Sequence, residues 1–463
     1  MTPDTSRGLP RGLLLLMSTA TGMSVASNYL AHPLLDLIGR ELGMPPSVVA
    51  LVVTAAQVGY TLGLMLLVPL GDLVERRRLA VTLYAATAVF LLVSATATSG
   101  AALLAGTALA AVTSVGAQVV VPFAATLADP AERGRVVGTV MTGLVLGLML
   151  ARTASGALAE LGGWRTAYWV NAGLMAVMAV LLRIFLPKLR GETATRTGAD
   201  GPASGPVAGA ADSPVAGAAD GQVAGAPDGA VGGSAGRRGG GALTYPALLR
   251  STFGLLRSEP LLRRRAAVAA LALASFSVLW TSLTFLLAGP SYGWTESAIG
   301  LFGLAAVAGA VAANVAGRLA DRGHVHKVTA AGTVLMLASW LPIGLGARSL
   351  LWLVIGVIVL DLAQQALLNA NQNVVYALRP EARNRVNAAF MTSYFAGGAV
   401  GSALAALAWT HAGWTGVSVL GAVLAAGTVA LWATERRAAA RATALDPRRP
   451  AGRGVRGPSA APR

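Results

Sequence analysis

The sequence predicts an all-α integral membrane protein with twelve transmembrane helices in two six-helix halves. Three observations carry that expectation: a composition too apolar for water, apolar runs of spanning length in two sets of six, and basic residues held on alternate loops. Of the 463 residues 55% are hydrophobic and 12% charged, with a mean hydropathy of +0.63. A soluble domain carries roughly 25% charged residues, because its surface must face water.

A helix needs roughly 20 apolar residues to cross the hydrocarbon core. Runs of that kind fall at 13–36, 48–70, 79–97, 101–127, 136–159 and 166–186, then at 266–289, 297–317, 327–346, 350–377, 386–409 and 414–433. The first run begins like a secretory signal, with Arg7 and Arg11 before Leu13–Leu16. It continues through Asn28 and Tyr29 to Leu37, longer than a signal core, and reads as a retained helix. The expected organisation is an N-terminal half over 1–186, a linker over 187–265, a C-terminal half over 266–433 and a basic tail over 434–463.

Cytoplasmic loops retain positive charge. With the N-terminus inside, 32 of the 36 Lys and Arg fall on inner segments, three (Arg40, Arg165, Arg348) on outer loops, and Arg152 within a span. Both termini are expected in the cytoplasm of a bacterial cell, with the chain embedded in its cytoplasmic membrane.

The linker contains an imperfect repeat, VAGAADSP (207–214), VAGAADGQ (215–222) and VAGAPDGA (223–230). Such a segment buries too little apolar surface to offset its ordering entropy, so a disordered linker is expected. A short amphipathic stretch near Tyr245–Arg257 should follow on the membrane surface. The Arg-rich tail after Trp432 is likewise expected to be disordered and drawn to anionic lipid.

Composition also excludes function classes. There is no cysteine, hence no disulfide, thiolate metal site or Cys nucleophile. Four histidines without acidic neighbours at ligand spacing predict no metal site, and no cofactor is expected. The net charge of +16 sits at helix ends and in the linker and tail, so nucleic-acid binding is not predicted. No convergent nucleophile and base suggests an enzyme.

The loops after the second helix of each half share a pattern. The first reads Gly71-Asp72-Leu73-Val74-Glu75-Arg76-Arg77-Arg78, the second Gly317-Arg318-Leu319-Ala320-Asp321-Arg322-Gly323. Glycine lets helices approach, the acid can cap or pair with a helix end, and the arginine can reach a carboxylate across the halves. These loops resemble the G-x-L-A-D-R-x-G-R-R signature of the major facilitator superfamily. Glu75 stands where Asp is usual, and the first copy lacks the later Gly. Helix 5 carries Gly143, Gly147, Ala151 and Ser155 at four-residue spacing, a face suited to close packing. It resembles a degenerate form of the glycine-rich motif of the family's proton-coupled drug exporters, with Ala151-Arg152 in place of Gly-Pro. The exporters' helix-4 arginine is absent from 104–114. Asn28-Tyr29-Leu30-Ala31-His32-Pro33, Met391-Thr392-Ser393-Tyr394-Phe395 and Gly162-Gly163-Trp164-Arg165 resemble an exporter-like bacterial branch with no defined substrate.

The resemblance implies a small-molecule transporter working as a monomer by alternating access, with efflux by proton antiport. Gly71, Glu75, Arg76, Gly317, Asp321 and Arg322 would be the conformational latches. Ionisable groups inside a span usually face a cavity. Asp361 and Arg152 are therefore the candidates for proton coupling or substrate charge. The cavity candidates are Asn28, His32, Gln57, Gln118, Trp280, Gln365, Asn369 and Gln372; the last three share a helix-10 face with Asp361. His32, near the outer end, is expected to be solvated or capping. Uptake or exchange of a sugar, nucleoside or other metabolite is the second reading, and a transport-dead sensor the third.

Overall fold

The computed structural model describes residues 9–129, 132–187, 245–305, 324–379 and 383–445. Among the described residues ten helical stretches are long and apolar enough to cross a bilayer. The N-terminal half comprises α1 (Arg11–Leu42), α2 (Pro46–Gly71), α3 (Arg76–Ala95), α4 (Gly100–Leu127), α5 (Arg133–Gly162) and α6 (Trp164–Phe185). The C-terminal half has α7 (Pro260–Ala288), α8 (described over Glu296–Ala305), α9 (Val325–Leu345) and α10 (Leu350–Leu378). The final stretch leaves helical geometry at Ala412 and Gly413, which makes it α11 (383–411) and α12 (414–445). Gly413 has φ 54°, a left-handed conformation that glycine adopts without steric cost. With that division and the start of α8, the expected order of twelve helices is present, and the fold is all-helical.

Many large apolar side chains face outward, including Val177, Val180 and Ile184 on α6 and Val419 and Val423 on α12. In water such a surface would be a liability; in a bilayer it is the solvated face.

Each half is held by close helix crossings. A Cβ on Gly143 would strike the Ser18 carbonyl of α1, and one on Gly147 would strike the Gly22 backbone. The C-terminal half repeats the device between α7 and α11, with Gly397 on Ala270 and Gly401 on Ala274. Side chains this small let backbones touch where lipid offers no hydrophobic drive for association.

Two helices are interrupted. α1 leaves α-helical geometry near Leu30 and turns through a 3-10 segment, His32–Leu34, where Pro33 cannot donate a backbone hydrogen bond. α4 breaks at Ser114–Val115. There the Ser114 carbonyl accepts from Ser24 Oγ at 2.5 Å, and Ser114 Oγ lies 2.8 Å from Asn28 Nδ2 and 3.1 Å from Asn28 Oδ1. Polar side chains of α1 thus satisfy groups that the break exposes, as apolar surroundings require.

The segments outside the spans correct several expectations. The amphipathic stretch is a helix over Tyr245–Ser258, and Tyr245 OH donates to the Leu66 carbonyl of α2 at 2.5 Å. α7 begins at Pro260, six residues before the expected boundary. The chain expected to be a disordered tail from 434 stays helical to Leu445. Its Ala/Arg composition favours helix, and Glu435 is tied to α7. Arg265 there is 2% exposed, donates to Glu435 at 2.7 Å and lies 3.4 Å from Asn371 Oδ1. The expected linker core, 188–244, and the last residues, 446–463, lie outside the described residues. Glu435→Ala would leave Arg265 buried without its anion, at a cost of about 3–5 kcal/mol. A fall in the melting temperature of the detergent-solubilised protein checks this.

Of the latch candidates, Gly317, Asp321 and Arg322 lie outside the described residues. Glu75 pairs locally with Arg78 at 2.8 Å. The neighbouring Arg77, rather than Arg76, is the buried arginine, and it donates to the Arg183 carbonyl at the end of α6. That contact lies within one half.

The two halves meet along α2–α11 and α5–α8. Gln57 Nε2 donates to Ser277 Oγ at 2.9 Å, and Thr54 Oγ1 to Ser402 Oγ at 3.0 Å. At the end remote from the termini, Arg40 donates to Glu296 at 3.0 Å, and Thr284 Oγ1 to the His32 carbonyl at 2.5 Å. There a Cβ on Gly156 would strike Glu296, and one on Gly300 would lie 2.6 Å from the Arg152 carbonyl oxygen. Thr153 Oγ1 also donates to the Gly300 carbonyl at 3.1 Å. The far end is closed.

Candidate functional site

Below this closure lies a cavity of about 200 Å³, lined by both halves. α1, α2, α4 and α5 supply one wall, and α7, α8, α10 and α11 the other. Asp361 stands 11 residues into α10, about 16 Å along the helix at 1.5 Å per residue. It lines the cavity and is 5% exposed.

Arg152 faces it from α5 and is 6% exposed. Its guanidinium carbon lies 3.6 Å from the ring centre of Trp280 and 5.3 Å from that of Tyr29. One ring belongs to α7 and the other to α1, so the cation is held between aromatic faces from opposite halves. Such stacking suits guanidinium, which is planar and weakly hydrated. Arg152 joins none of the ion pairs among the described residues, and its Nε has no hydrogen-bond partner. Asp361 feels its charge across the cavity without ion-pair contact. Asp361 Oδ2 and the Trp280 indole nitrogen likewise lack partners at hydrogen-bond geometry.

Six of the eight expected cavity residues line the wall: Asn28, His32, Gln57, Gln118, Gln365 and Gln372. Trp280 does not line it, because Arg152 covers its ring. Asn369 is buried away from the cavity. The wetted face of α10 runs through 361, 364, 365, 368 and 372, a three- and four-residue progression that bypasses 369. His32 is buried rather than solvated: it sits at the break in α1, with its ring 5.4 Å from Tyr29.

Sequence reasoning gave Tyr29 no role of its own, and its signal was its position three residues before His32. The aromatic floor was also missed as a unit. Tyr60 meets Phe395 with ring centres 4.7 Å apart, and Phe395 meets Tyr394 at 5.2 Å. Gln364 Nε2 donates to Tyr394 OH at 2.8 Å. Apolar side chains, among them Leu148, Met149, Leu273 and Phe276, fill much of the remaining wall. Among the described residues no cluster of His, Cys, Asp and Glu could hold a metal ion.

Known proteins place this architecture. The family model described as Major Facilitator Superfamily matches residues 17–324 and 265–458. The chain is 45% identical over 424 residues to the "Uncharacterized transporter YgaY" of Escherichia coli O157:H7, covering 92% of this chain and 95% of that protein. It is 34% identical over 422 residues to "Probable transporter SCO4007" of Streptomyces coelicolor, covering 91% and 87%. In structure it resembles a bacterial homologue of the human lysosomal transporter Spinster in an inward-facing, occupied conformation. The TM-score is 0.66 at 12% identity, with 91% of this chain and 95% of that chain covered. Two repeated halves, a cavity between them and full-length kinship with transporters converge: the chain belongs to the Major Facilitator Superfamily of membrane transporters.

Proposed function

We propose that this transporter moves a small molecule across the bacterial cytoplasmic membrane by alternating access, coupled to protons and in the direction of export. One observation carries the reading: Asp361, the one carboxylate among the described residues that line the cavity, is buried on the wall of one half and faces the fixed cation of the other. A carboxylate in that position can exchange its charge for a proton as access alternates, and intramembrane acids commonly serve such relays. Export follows from the resemblance to exporter-like members. With both termini cytoplasmic, as the charge asymmetry favours, the closed far end is external and the cavity belongs to an inward-facing state. Arg77, with the expected latch loops at Glu75–Arg76 and Gly317–Arg322, would hold the cytoplasmic ends as the halves rock.

Antiport would require substrate and proton to compete at Asp361; co-transport would require them to bind together. Purified protein in liposomes under an imposed pH gradient distinguishes the two. Compounds are added singly while lumenal pH is followed, and the sign of the substrate-dependent change reports the sense of coupling. Flux with no pH change would assign Asp361 to substrate or structure. It would favour facilitated exchange of a hydroxylated metabolite, which the amides Asn28, Gln118, Gln365 and Gln372 also suit. Ligand binding without flux would favour a sensor.

A further inference from the structure

The geometry points to an amphipathic organic anion as the ligand, with its carboxylate-like head on Arg152 and its apolar or aromatic body along the α5 and α11 walls. This rests on the transport reading and names the substrate class for the same cavity. Three features carry it.

First, Arg152 is a cation inside a span that none of the described carboxylates reaches at ion-pair distance. Asp361 offsets its charge only from across the cavity, so an anion in direct contact would stabilise the buried cation further. Second, Trp280 and Tyr29 flank the guanidinium. Its neighbours are thus aromatic rings, and its Nε has no hydrogen-bond partner to compete with an incoming acceptor. The N–H edges of a guanidinium suit carboxylate geometry. Third, the rest of the wall is mostly apolar and aromatic, with Leu148 and Met149 on α5, Phe276 on α7 and the Tyr60–Phe395–Tyr394 group between α2 and α11. Arg152 is the one fixed cation among the described lining residues, and such a wall selects one negative head on an apolar body. The same cation repels an ammonium head.

Charge balance links this ligand to the proton. Among the described residues, the titratable groups sharing the cavity wall with Asp361 are Arg152, Tyr29, His32 and Tyr60 from the N-terminal half, and Tyr394 from α11. Ionised Asp361 already offsets Arg152, so a bound anion leaves one excess negative charge, which a proton on Asp361 removes. Ligand and proton then load together. Export becomes electroneutral excretion of an organic acid down its own gradient.

The test uses three probes with one body and different heads: phenylbutyrate, phenylbutylamine and phenylbutanol. Equilibrium binding to the purified full-length protein is measured by calorimetry, which needs no flux and so stands apart from the transport assay. Phenylbutyrate is expected to bind best. Arg152→Gln should weaken it about tenfold or more, the loss of one charge-assisted pairing. Arg152→Lys should restore part of that affinity, and Asp361→Asn should strengthen binding by removing the competing charge. Equal or tighter binding of the amine would overturn the proposal. So would absence of phenylbutyrate binding up to its solubility, or unchanged affinity in Arg152→Gln. If Arg152→Gln does not fold, the ranking of the three probes on the unaltered protein and the direction of the Asp361→Asn effect decide it. Anion binding in a protein that proves transport-dead would sink the transport reading and leave the ligand class standing.

Discussion

Asp361→Asn is expected to abolish substrate-dependent proton movement in liposomes while the protein still folds and still binds ligand. The substitution keeps the shape of the side chain and removes the group that can gain or lose a proton. Asp361 makes no ion pair among the described residues, and its Oδ2 has no hydrogen-bond partner. Its tie to the fold is the charge of Arg152 across the cavity rather than an ion-pair contact, so the variant should still fold, with a modest fall in melting temperature. Arg152 is left without an opposing charge in the cavity, which is why ligand affinity should survive or rise. Normal proton movement in Asp361→Asn would assign coupling to another group, with His32 the nearest alternative on the wall.

Gly147→Leu is expected to have the largest effect on stability. A Cβ at this position already meets the backbone of Gly22 on α1, and backbone cannot swing aside as a side chain can. α1 and α5 would have to separate along the crossing that also seats Gly143 on Ser18. Overpacking of this kind costs about 1–3 kcal/mol, and contact with backbone places it at the upper end or beyond. Gly134→Ala on the same helix is the control, because nothing lies within 4 Å of its added Cβ. Helix propensity alone would stabilise both variants. The expected result is a large fall in melting temperature and loss of the monodisperse peak for Gly147→Leu, with neither for Gly134→Ala.

Most of the fold is legible from hydropathy because lipid imposes one rule on every span: its backbone must satisfy itself. The boundary between α11 and α12 was visible as a gap between apolar runs, and Gly413 occupies it. Interruptions within a span were not legible. The break in α4 is stabilised by Ser24 and Asn28 on another helix, and nothing in the local sequence around Ser114 announces that. The tail boundary failed for a similar reason, since Glu435 acts through a partner 170 residues away. At the site, periodicity placed Gln365 and Gln372 beside Asp361 correctly. It could not decide Asn369, because a helix face borders both cavity and protein core, and only the neighbouring helices determine which. Trp280, expected on the cavity wall, instead has its ring face against Arg152, a contact between α5 and α7 that no single-helix pattern encodes.

At the far end the described part of the α5–α8 seam brings main chain into direct contact, with Gly156 on Glu296 and Gly300 on the Arg152 carbonyl. Closing such a seam immobilises few rotamers, so the entropy usually lost when side chains lock together is small there. On the proposed alternating-access reading, the two end states would then lie close in free energy, with neither acting as a trap. In such a landscape a ligand with modest preference for one state is enough to redistribute the population.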